Sequence, residues 1–250
     1  MLNTLKRHFK FYRHGKAALL DKEQIQSDQQ LHLELNKEGS RTEIINFLLQ
    51  TLNRPTTYLE IGVRDPSKNF DKIKADQKYS VDPGVEFKEN PVDFKLTSDD
   101  FFAAIRQSKL LSADTRFDLI FIDGLHLAEQ VDRDIKNALD FIKDDGFIVL
   151  HDCNPPTIWH AREKFYFAYT PATGYWNGTT WKAFVKARQN KELYSCCIDT
   201  DWGVGLLSKS VNIGAAYKQK IEFYEYQHLD DNRKEILGLI SYPDFIKKLS

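Results

Sequence analysis

Apolar residues along the first 150 positions follow two kinds of spacing, and their alternation predicts an α/β fold. The stretch RTEIINFLLQTL, residues 41–52, places apolar side chains every three or four positions, which is typical of an amphipathic helix. The next run, TTYLEIGV, is rich in apolar and β-branched residues, as in a strand that is buried on both faces. Strands and helices that alternate in this way predict a parallel sheet with right-handed crossovers.

The clearest strand–helix–strand unit lies between residues 117 and 152. FDLIFIDG predicts a buried strand, LAEQVDRDIKNALDFIKDDG an amphipathic helix, and FIVLHD the following strand. Apolar residues recur along the helical stretch at Leu127, Val131, Ile135, Leu139 and Ile142. We expect Gly146 to cap the carboxyl end of this helix, because glycine is the usual residue in that position.

Weaker patterns predict the remaining elements. Asp65-Pro66 is typical of a helix start, KYSVDP indicates a strand, and VDFKLT indicates a less certain one. Ser98 is expected to cap a helix over SDDFFAAIRQSKLL. Two short apolar runs, LYSCCI and VGLLS, flank DTDWG and predict an antiparallel hairpin, and one or two helices are expected to close the chain.

Changes in composition divide the chain into three parts, the second of which contains an insertion. Residues 1–40 are polar and basic and predict an N-terminal helical arm, residues 41–210 the main domain, and residues 211–250 a C-terminal helical extension. We interpret the basic face of the arm as solvated surface, with a ligand site as the alternative. Residues 157–184 form an insertion that either covers a substrate or packs against the sheet, and its aromatic residues are Trp159, Phe165, Tyr166, Phe167, Tyr169, Tyr175, Trp176, Trp181 and Phe184.

Composition narrows the class of protein. A chain of 250 residues with 42% hydrophobic content can bury one large core. Its 35 basic and 36 acidic residues leave a net charge of −1, so no overall field attracts nucleic acid or an anionic membrane. No apolar run approaches the length of a membrane span or of a secretory signal. Three cysteines, two of them adjacent, predict a reducing, cytoplasmic setting.

Acidic and imidazole side chains follow the predicted strands. In an open parallel sheet, ligands bind beyond the carboxyl ends of the strands. A sheet built for packing alone has little reason to place carboxylates along one edge, so these residues predict a functional site: Glu60, Asp82, Asp123, His126, His151 and Asp152.

The motifs that carry these residues resemble a known family. YLEIGV, SVDP, FDLIFIDGLH and GFIVLHDCNP are similar to class I S-adenosylmethionine-dependent methyltransferases, and to the small-molecule O-methyltransferase branch labelled methyltransferase family 24. The resemblance covers roughly residues 40–210. It implies a Rossmann-like, seven-stranded, mostly parallel sheet with an antiparallel C-terminal hairpin, helices on both faces, and S-adenosylmethionine as the cofactor.

The resemblance also implies which residues bind that cofactor. Glu60 and Gly62 match the first motif, which passes under the methionine part, and Asp82 matches the acid that binds the ribose hydroxyls. The remaining matched positions are Val63 and Arg64 in the first loop, Thr97 and Ser98 near the adenine, and Asp123 beside the reacting centre.

The first loop departs from the family pattern. The family has several glycines there, whereas GVRDPSKNF has one glycine, an arginine and a proline. Two readings follow from this difference. Either Arg64 and Asp65 line an altered pocket, or cofactor binding is weakened or lost.

Metal-dependent sugar O-methyltransferases, which this region also resembles, hold a divalent cation on two acids of this kind. The matching residues are Asp123 and Asp152, and His126 matches the base. His151 stands where such enzymes can carry another acidic ligand. Carboxylates suit Mg²⁺, and a histidine ligand favours another, softer divalent cation. The alternative reading of His126 is a hydrogen-bonding loop residue.

Together these features predict an enzyme that methylates a hydroxyl of a sugar or small polar metabolite, with metal assistance. Two other functions stay open. One is a non-catalytic protein that keeps the Rossmann-like fold and binds a ligand, and the other is a metal-dependent hydrolase that uses the same Asp and His residues.

Overall fold

A seven-stranded sheet organises the fold in the computed structural model, which describes residues 2–86, 91–166, 170–172 and 174–250, with side chains from residue 4 onward. Its spatial order is β2-β1-β3-β4-β6-β5-β7. The strands are β1 (Thr57–Ile61), β2 (Gln77–Val81), β3 (Phe117–Ile122), β4 (Ile142–Leu150), β5 (Tyr194–Ile198), β6 (Val204–Ser208) and β7 (Leu239–Ile240).

Parallel pairing predominates in this sheet. β1 pairs in parallel with β2 and β3, β3 with β4, and β5 with β7, whereas β6 is antiparallel to both β4 and β5. The predicted Rossmann-like sheet with an antiparallel C-terminal hairpin is therefore confirmed.

Helices cover both faces of the sheet, as predicted. On one face, α3 buries Ile44, Ile45 and Leu48 against strand residues such as Leu119 and Phe121. On the other face, α4, α5 and α6 pack over β1, β3 and β4. The helices are α1 (Leu2–Ala18), α2 (Lys22–Leu35), α3 (Arg41–Thr51), α4 (Ser98–Arg106), α5 (Ala128–Phe141), α6 (Thr180–Arg188), α7 (Tyr226–Leu237) and α8 (Tyr242–Leu249).

Three local predictions were wrong. Gly146 caps no helix, because α5 ends at Phe141 and β4 begins at Ile142, which pairs with Phe117. The weak strand over residues 92–97 is reduced to one bridge between Val81 and Phe94. The N-cap of α4 is Thr97 rather than Ser98, since the Thr97 hydroxyl accepts a hydrogen bond from the Asp100 amide. In each case, strand pairing or turn geometry determined the structure instead of the preference of the local sequence for a cap or a strand.

The C-terminal segment completes the sheet instead of only covering it. Residues 239–240 form β7, which pairs in parallel with β5 at the outer edge. With β7 the sheet has seven strands, although the strand predicted at 92–97 is not one of them. Two closing helices, α7 and α8, flank β7, in agreement with the predicted helical end of the chain.

The N-terminal arm consists of α1 and α2. Residues 4–20 are all exposed, so α1 stands away from the core. The end of α2 is anchored, because the buried Glu34 carboxylate accepts hydrogen bonds from the Trp202 amide at 2.6 Å and from Lys37 Nζ at 2.5 Å. None of the helices in the described ranges is long and apolar enough to cross a membrane.

Candidate active site

Two neighbouring strands deliver the central residues of the site. Asp123 and His126 follow β3, and His151 and Asp152 follow β4, so all four lie beyond the carboxyl ends of parallel strands. The Asp123 amide donates to the Ile61 carbonyl at 2.9 Å, which ties the end of β3 to β1. This placement is the one that the strand pattern predicts.

The carboxylates and imidazoles of these residues are in direct contact. His126 Nε2 lies 3.2 Å from Asp123 Oδ1, and its Nδ1 lies 3.1 Å from Asp152 Oδ2. His151 Nδ1 lies 3.2 Å from Asp123 Oδ1 and 3.1 Å from Asp152 Oδ2. Each carboxylate therefore faces both imidazoles, and we call these four residues the Asp/His cluster.

Arg41 is a member of the site that the sequence reasoning missed. It begins α3, and its guanidinium Nη1 lies 2.8 Å from His151 Nε2 and 3.2 Å from Asp201 Oδ1. The Arg41 Nε atom is 4.0 Å from Asp123 Oδ2. The first residue of an amphipathic helix carries no sequence signal for such a role, because its approach depends on how α3 packs on the sheet.

The hairpin turn between β5 and β6 reaches the same place. Asp201 Oδ1 lies 3.2 Å from His151 Nε2, and Asp201 Oδ2 accepts the Arg41 amide at 2.8 Å. The turn of the predicted hairpin thus supplies a third carboxylate to the site.

Backbone conformation sets the site apart from most of the chain. Six non-glycine residues of the described ranges have positive φ, and four of them belong to the site: His126 (58°), Asp152 (60°), Asp201 (45°) and Trp202 (67°). The left-handed region costs free energy for residues with a Cβ, and such conformations cluster where function requires a set orientation. This concentration favours a functional role over simple turns.

Two glycines allow the surrounding loops to approach the cluster closely. A Cβ on Gly62, whose φ is 90°, would stand 2.3 Å from the Asp123 carbonyl oxygen. A Cβ on Gly178, whose φ is 62°, would stand 2.2 Å from the His126 carbonyl oxygen. Both distances are shorter than any van der Waals contact allows, so only glycine fits at these two positions.

The C-terminal part of the aromatic insertion holds the His126 loop in place. The Thr179 amide donates to the His126 carbonyl at 2.8 Å, and the Thr179 hydroxyl accepts the Ala128 amide at 2.8 Å. The latter bond supplies the missing cap of α5, whose own N-cap residue, Leu127, makes none. Asn177 Nδ2 donates to Asp152 Oδ1 at 2.8 Å.

The described aromatic residues of the insertion fall into two groups, one in the core and one beside the Asp/His cluster. Trp181 and Phe184 are buried in the core. Trp176 stacks on the His126 ring with centroids 5.2 Å apart, and Tyr175 stacks on Trp202 at 4.9 Å. The predicted lid aromatics Phe167 and Tyr169 lie outside the described residues.

Electrostatics couple the cluster tightly. Burial alone would raise the pKa of Asp123, but His151, His126 and Arg41 hold it well below its usual range. Burial lowers the pKa of each histidine, but the carboxylates of Asp152 and Asp123 outweigh it, so both pKa values are raised. For Asp201, burial is likewise outweighed by His151 and Arg41, which lower its pKa to about 2.

The donor set fits a divalent cation. Asp123, His126 and Asp152 each offer one ligand atom, and these atoms lie within 4.8 Å of one another. Ligands at roughly 2.1 Å from one ion stand about 3 to 4 Å apart, so the spacing is compatible. The buried Nδ1 of His126 forms no hydrogen bond to any described residue, although Asp152 lies beside it. An unsatisfied buried nitrogen beside two carboxylates is the kind of donor that a cation satisfies.

The residues matched to cofactor binding lie along the neighbouring strand ends. Glu60 belongs to β1, Gly62 follows it, and its amide donates to the Val81 carbonyl at 2.9 Å. Asp82 follows β2, and its Oδ1 accepts the Gly84 amide at 2.6 Å.

Other matched residues have structural partners. Val63 is buried, while Arg64 is exposed and lies 3.7 Å from Glu86. Thr97 caps α4, and the Ser98 hydroxyl donates to Asp134 at 2.5 Å. In place of an α-helix, the first loop forms two short 3-10 turns, Pro66–Lys68 and Phe70–Lys72.

Glu60 is a buried carboxylate that opposes folding when it is ionised. Its Oε2 accepts hydrogen bonds from the Tyr58 hydroxyl at 2.6 Å and from Asn69 Nδ2 at 2.9 Å. Burial outweighs these bonds and raises the pKa of Glu60 from 4.5 to about 7. The unfolded chain therefore ionises at lower pH than the folded one, and the penalty grows between these two pKa values and persists above them.

We expect Glu60→Gln to stabilise the protein above pH 7 by about 3 kcal/mol, since one pKa unit is worth roughly 1.4 kcal/mol. One oxygen accepts both hydrogen bonds, so the carbonyl oxygen of glutamine can replace it. Urea unfolding at a series of pH values measures the effect, which should shrink towards pH 4.5. Glu129→Gln, at an exposed position, is the control. Equal stabilisation at every pH would contradict the assignment of the ionisation to Glu60.

The fold and the site together define a class I methyltransferase-type α/β domain, and a family comparison agrees with this. Residues 34–153 match the model of a family described as a methyltransferase domain. This stretch of the chain is similar to that family, and the predicted resemblance to class I S-adenosylmethionine-dependent methyltransferases is confirmed for it. A comparison with curated proteins found no match.

Several solved structures are similar to the chain at low identity. An O-methyltransferase from Bacillus cereus in complex with SAH shares 14% identity at a TM-score of 0.41, over 73% of this chain and 88% of that one. The SAH-bound methyltransferase PaMTH1 from Podospora anserina shares 12% at 0.46, over 81% and 96%. MycE of the mycinamycin biosynthetic pathway, in complex with Mg, SAH and mycinamycin VI, shares 16% at 0.42, over 71% and 50%.

Proposed function

We propose that the protein transfers a methyl group from S-adenosylmethionine to a hydroxyl of a sugar or another small polar metabolite, with a divalent cation at the Asp/His cluster. One observation carries the proposal. The His126 ring lies within 3.2 Å of both the Asp123 and the Asp152 carboxylates. All three residues follow strand ends that lie beside Gly62. When bound, the cofactor supplies the electrophilic methyl group and the cation lowers the pKa of a coordinated hydroxyl.

His126 is the group suited to remove the proton. Its ring is held by the Trp176 stack on one side and by two carboxylates at its edges. A cation bound to Asp152 and Asp123 would offset the negative charge that raises the pKa of His126, so this pKa would fall. The imidazole can then accept a proton near neutral pH.

Asp123 and Asp152 would hold the cation together with His151, whose Nδ1 lies 3.2 and 3.1 Å from their carboxylates, and this leaves His126 as the base. The Arg41 guanidinium contacts the side of the cluster that faces Asp201. Asn177 keeps Asp152 Oδ1 occupied, which leaves Oδ2 directed at the two imidazoles. The carboxylates are thus oriented before any ligand arrives, and orientation is the main contribution that the protein makes to a methyl transfer.

The acceptor would lie against the aromatic rings beside the cluster. Trp176 covers His126, and the Tyr175–Trp202 pair lies next to Asp201 in sequence and space. Flat aromatic faces suit sugar rings and planar acceptors, while charged donors nearby suit their hydroxyls. This arrangement supports a polar, ring-shaped acceptor.

Calorimetric titration with S-adenosylhomocysteine tests the cofactor assignment. We expect the native chain to bind, and Asp82→Ala to weaken binding by about tenfold to a hundredfold, because hydrogen bonds to a charged group are worth about 1.5 to 3 kcal/mol. Asp71→Ala, which removes an exposed acid of the first loop, should leave the affinity unchanged.

The result also separates the rival functions. Absence of heat with both S-adenosylhomocysteine and S-adenosylmethionine would overturn the methyltransferase proposal. Binding of a nucleotide-like or glycan ligand without turnover would then favour a binding protein, and metal-dependent cleavage of an ester substrate would favour a hydrolase.

We also propose a reducing, cytoplasmic location. The three cysteines are free and buried, and burial raises the pKa of Cys196 to about 12, so this thiol stays protonated and unreactive. Fractionation of the cells that make the protein tests the location directly.

A further inference from the structure

Helix α1 concentrates positive charge. Residues 2–18 contain five lysines and arginines and two histidines but no acidic residue, although the chain as a whole has a net charge of −1. These five cations form no ion pair with any described residue, and the helix lies outside the folded core. Helix α1 is therefore strongly basic within a chain that is almost neutral. Its cations are Lys6, Arg7, Lys10, Arg13 and Lys16.

The same helix carries an apolar stripe. Leu5, Phe9 and Tyr12 recur every three or four residues, so they share one face of the helix. They are 63%, 64% and 68% exposed, respectively. Large apolar residues that share a helical face and are mostly exposed are unusual, because burying one of them is worth about 1.5 to 3 kcal/mol.

The basic residues are arranged beside this stripe. Lys6, Lys10 and Arg13 also recur every three or four residues and occupy the adjoining face. Lys16 interrupts the stripe at its carboxyl end, where a long aliphatic stem can lie along apolar surroundings while the ammonium group stays in water. An apolar stripe flanked by cations is the arrangement of helices that lie in the interface of a lipid bilayer.

We propose that α1 is an amphipathic membrane anchor, which docks the enzyme on the surface of a bilayer that contains anionic lipids. The apolar stripe enters the headgroup region, and the flanking cations meet the lipid phosphates. Charge decides between this partner and the alternatives. Two copies of α1 repel each other because neither has an acid, and nucleic acid offers no apolar phase for Leu5, Phe9 and Tyr12.

Vesicle co-sedimentation of the full chain tests the proposal. We expect binding to vesicles of equal parts phosphatidylglycerol and phosphatidylcholine at about 0.15 M salt, and far weaker binding to phosphatidylcholine alone. Phe9→Gln should weaken partitioning by about tenfold, and Lys10→Gln with Arg13→Gln by about thirtyfold, given roughly 1 kcal/mol for each cation and tenfold for each 1.4 kcal/mol.

Matched controls separate the anchor from general effects. Phe11→Gln removes the same side chain from the opposite face of α1, and Lys191→Gln with Lys218→Gln removes two exposed cations elsewhere. Both should partition like the native chain. The unfolding temperature should be unchanged in every α1 variant, since α1 packs on nothing that is described.

Two results would overturn the proposal. The first is partitioning that ignores lipid charge or is the same in the Phe9 and Phe11 variants. The second is a dimer in solution that Phe9→Gln dissociates, with no vesicle binding, which would make a second copy of the chain the partner of the stripe. Retention on nucleic acid in place of vesicles would reject it in the same way.

Discussion

His126→Asn is expected to slow methyl transfer by about a thousandfold, since a positioned general base contributes roughly a hundredfold to ten-thousandfold. His126 is within 3.2 Å of both Asp123 and Asp152 and is covered by Trp176, so its place in the site cannot be taken by a neighbouring imidazole without a change in the strand ends. Transfer of a radiolabelled methyl group to a panel of sugars and small polar alcohols measures the rate.

Binding separates a catalytic role from a structural one. The affinity for S-adenosylhomocysteine should stay within about twofold, because Glu60, Gly62 and Asp82, the residues matched to the methionine and ribose parts of the cofactor, lie on or directly after β1 and β2 and are left unchanged. His228→Asn, at an exposed position on α7, is the matched control. A variant that keeps more than a tenth of the native rate would remove His126 from the proposed chemistry.

Asp123→Asn is expected to abolish both metal binding and turnover, the second large effect. The carboxylate faces the two imidazoles and the Arg41 guanidinium. Its loss therefore removes the negative charge that these three groups share. We expect a loss of at least a thousandfold in rate. Titration with Mn²⁺, followed by the resonance of the free ion, measures the binding.

A control variant is compared in the same Mn²⁺ titration, and turnover is measured with and without metal. Asp114→Asn, at an exposed position, should bind Mn²⁺ like the native chain. No added metal should restore turnover to the Asp123 variant. Full turnover of the native chain after chelation would remove the metal from the mechanism but leave the transferase in place.

Local patterns predicted most of the elements because their causes are local. The spacing of Ile44, Ile45 and Leu48 follows the helical repeat, and five of the six residues of β3 are apolar because both faces of that strand are covered. Predictions failed where strand pairing between distant residues outweighed the local pattern. Ile142 continues the helical spacing in the sequence, but in the structure it pairs with Phe117 in the sheet.

The position of the site was predictable for a geometric reason. Parallel strands end at one edge, so residues that directly follow β3 and β4 must meet there. Asp123, His126, His151 and Asp152 all satisfy this condition. Their residue types, acids and imidazoles beside each other, then indicated proton transfer and metal binding.

What the sequence determined by itself is therefore the sheet, its carboxyl edge and the four residues that its strands carry there. Tertiary structure alone decided that Arg41, Asn177 and Asp201 complete the cluster, because they arrive from a helix, an insertion and a hairpin turn. Each of these segments is far from the strand ends along the chain. Their approach depends on the packing of whole elements, which no local spacing of residues encodes.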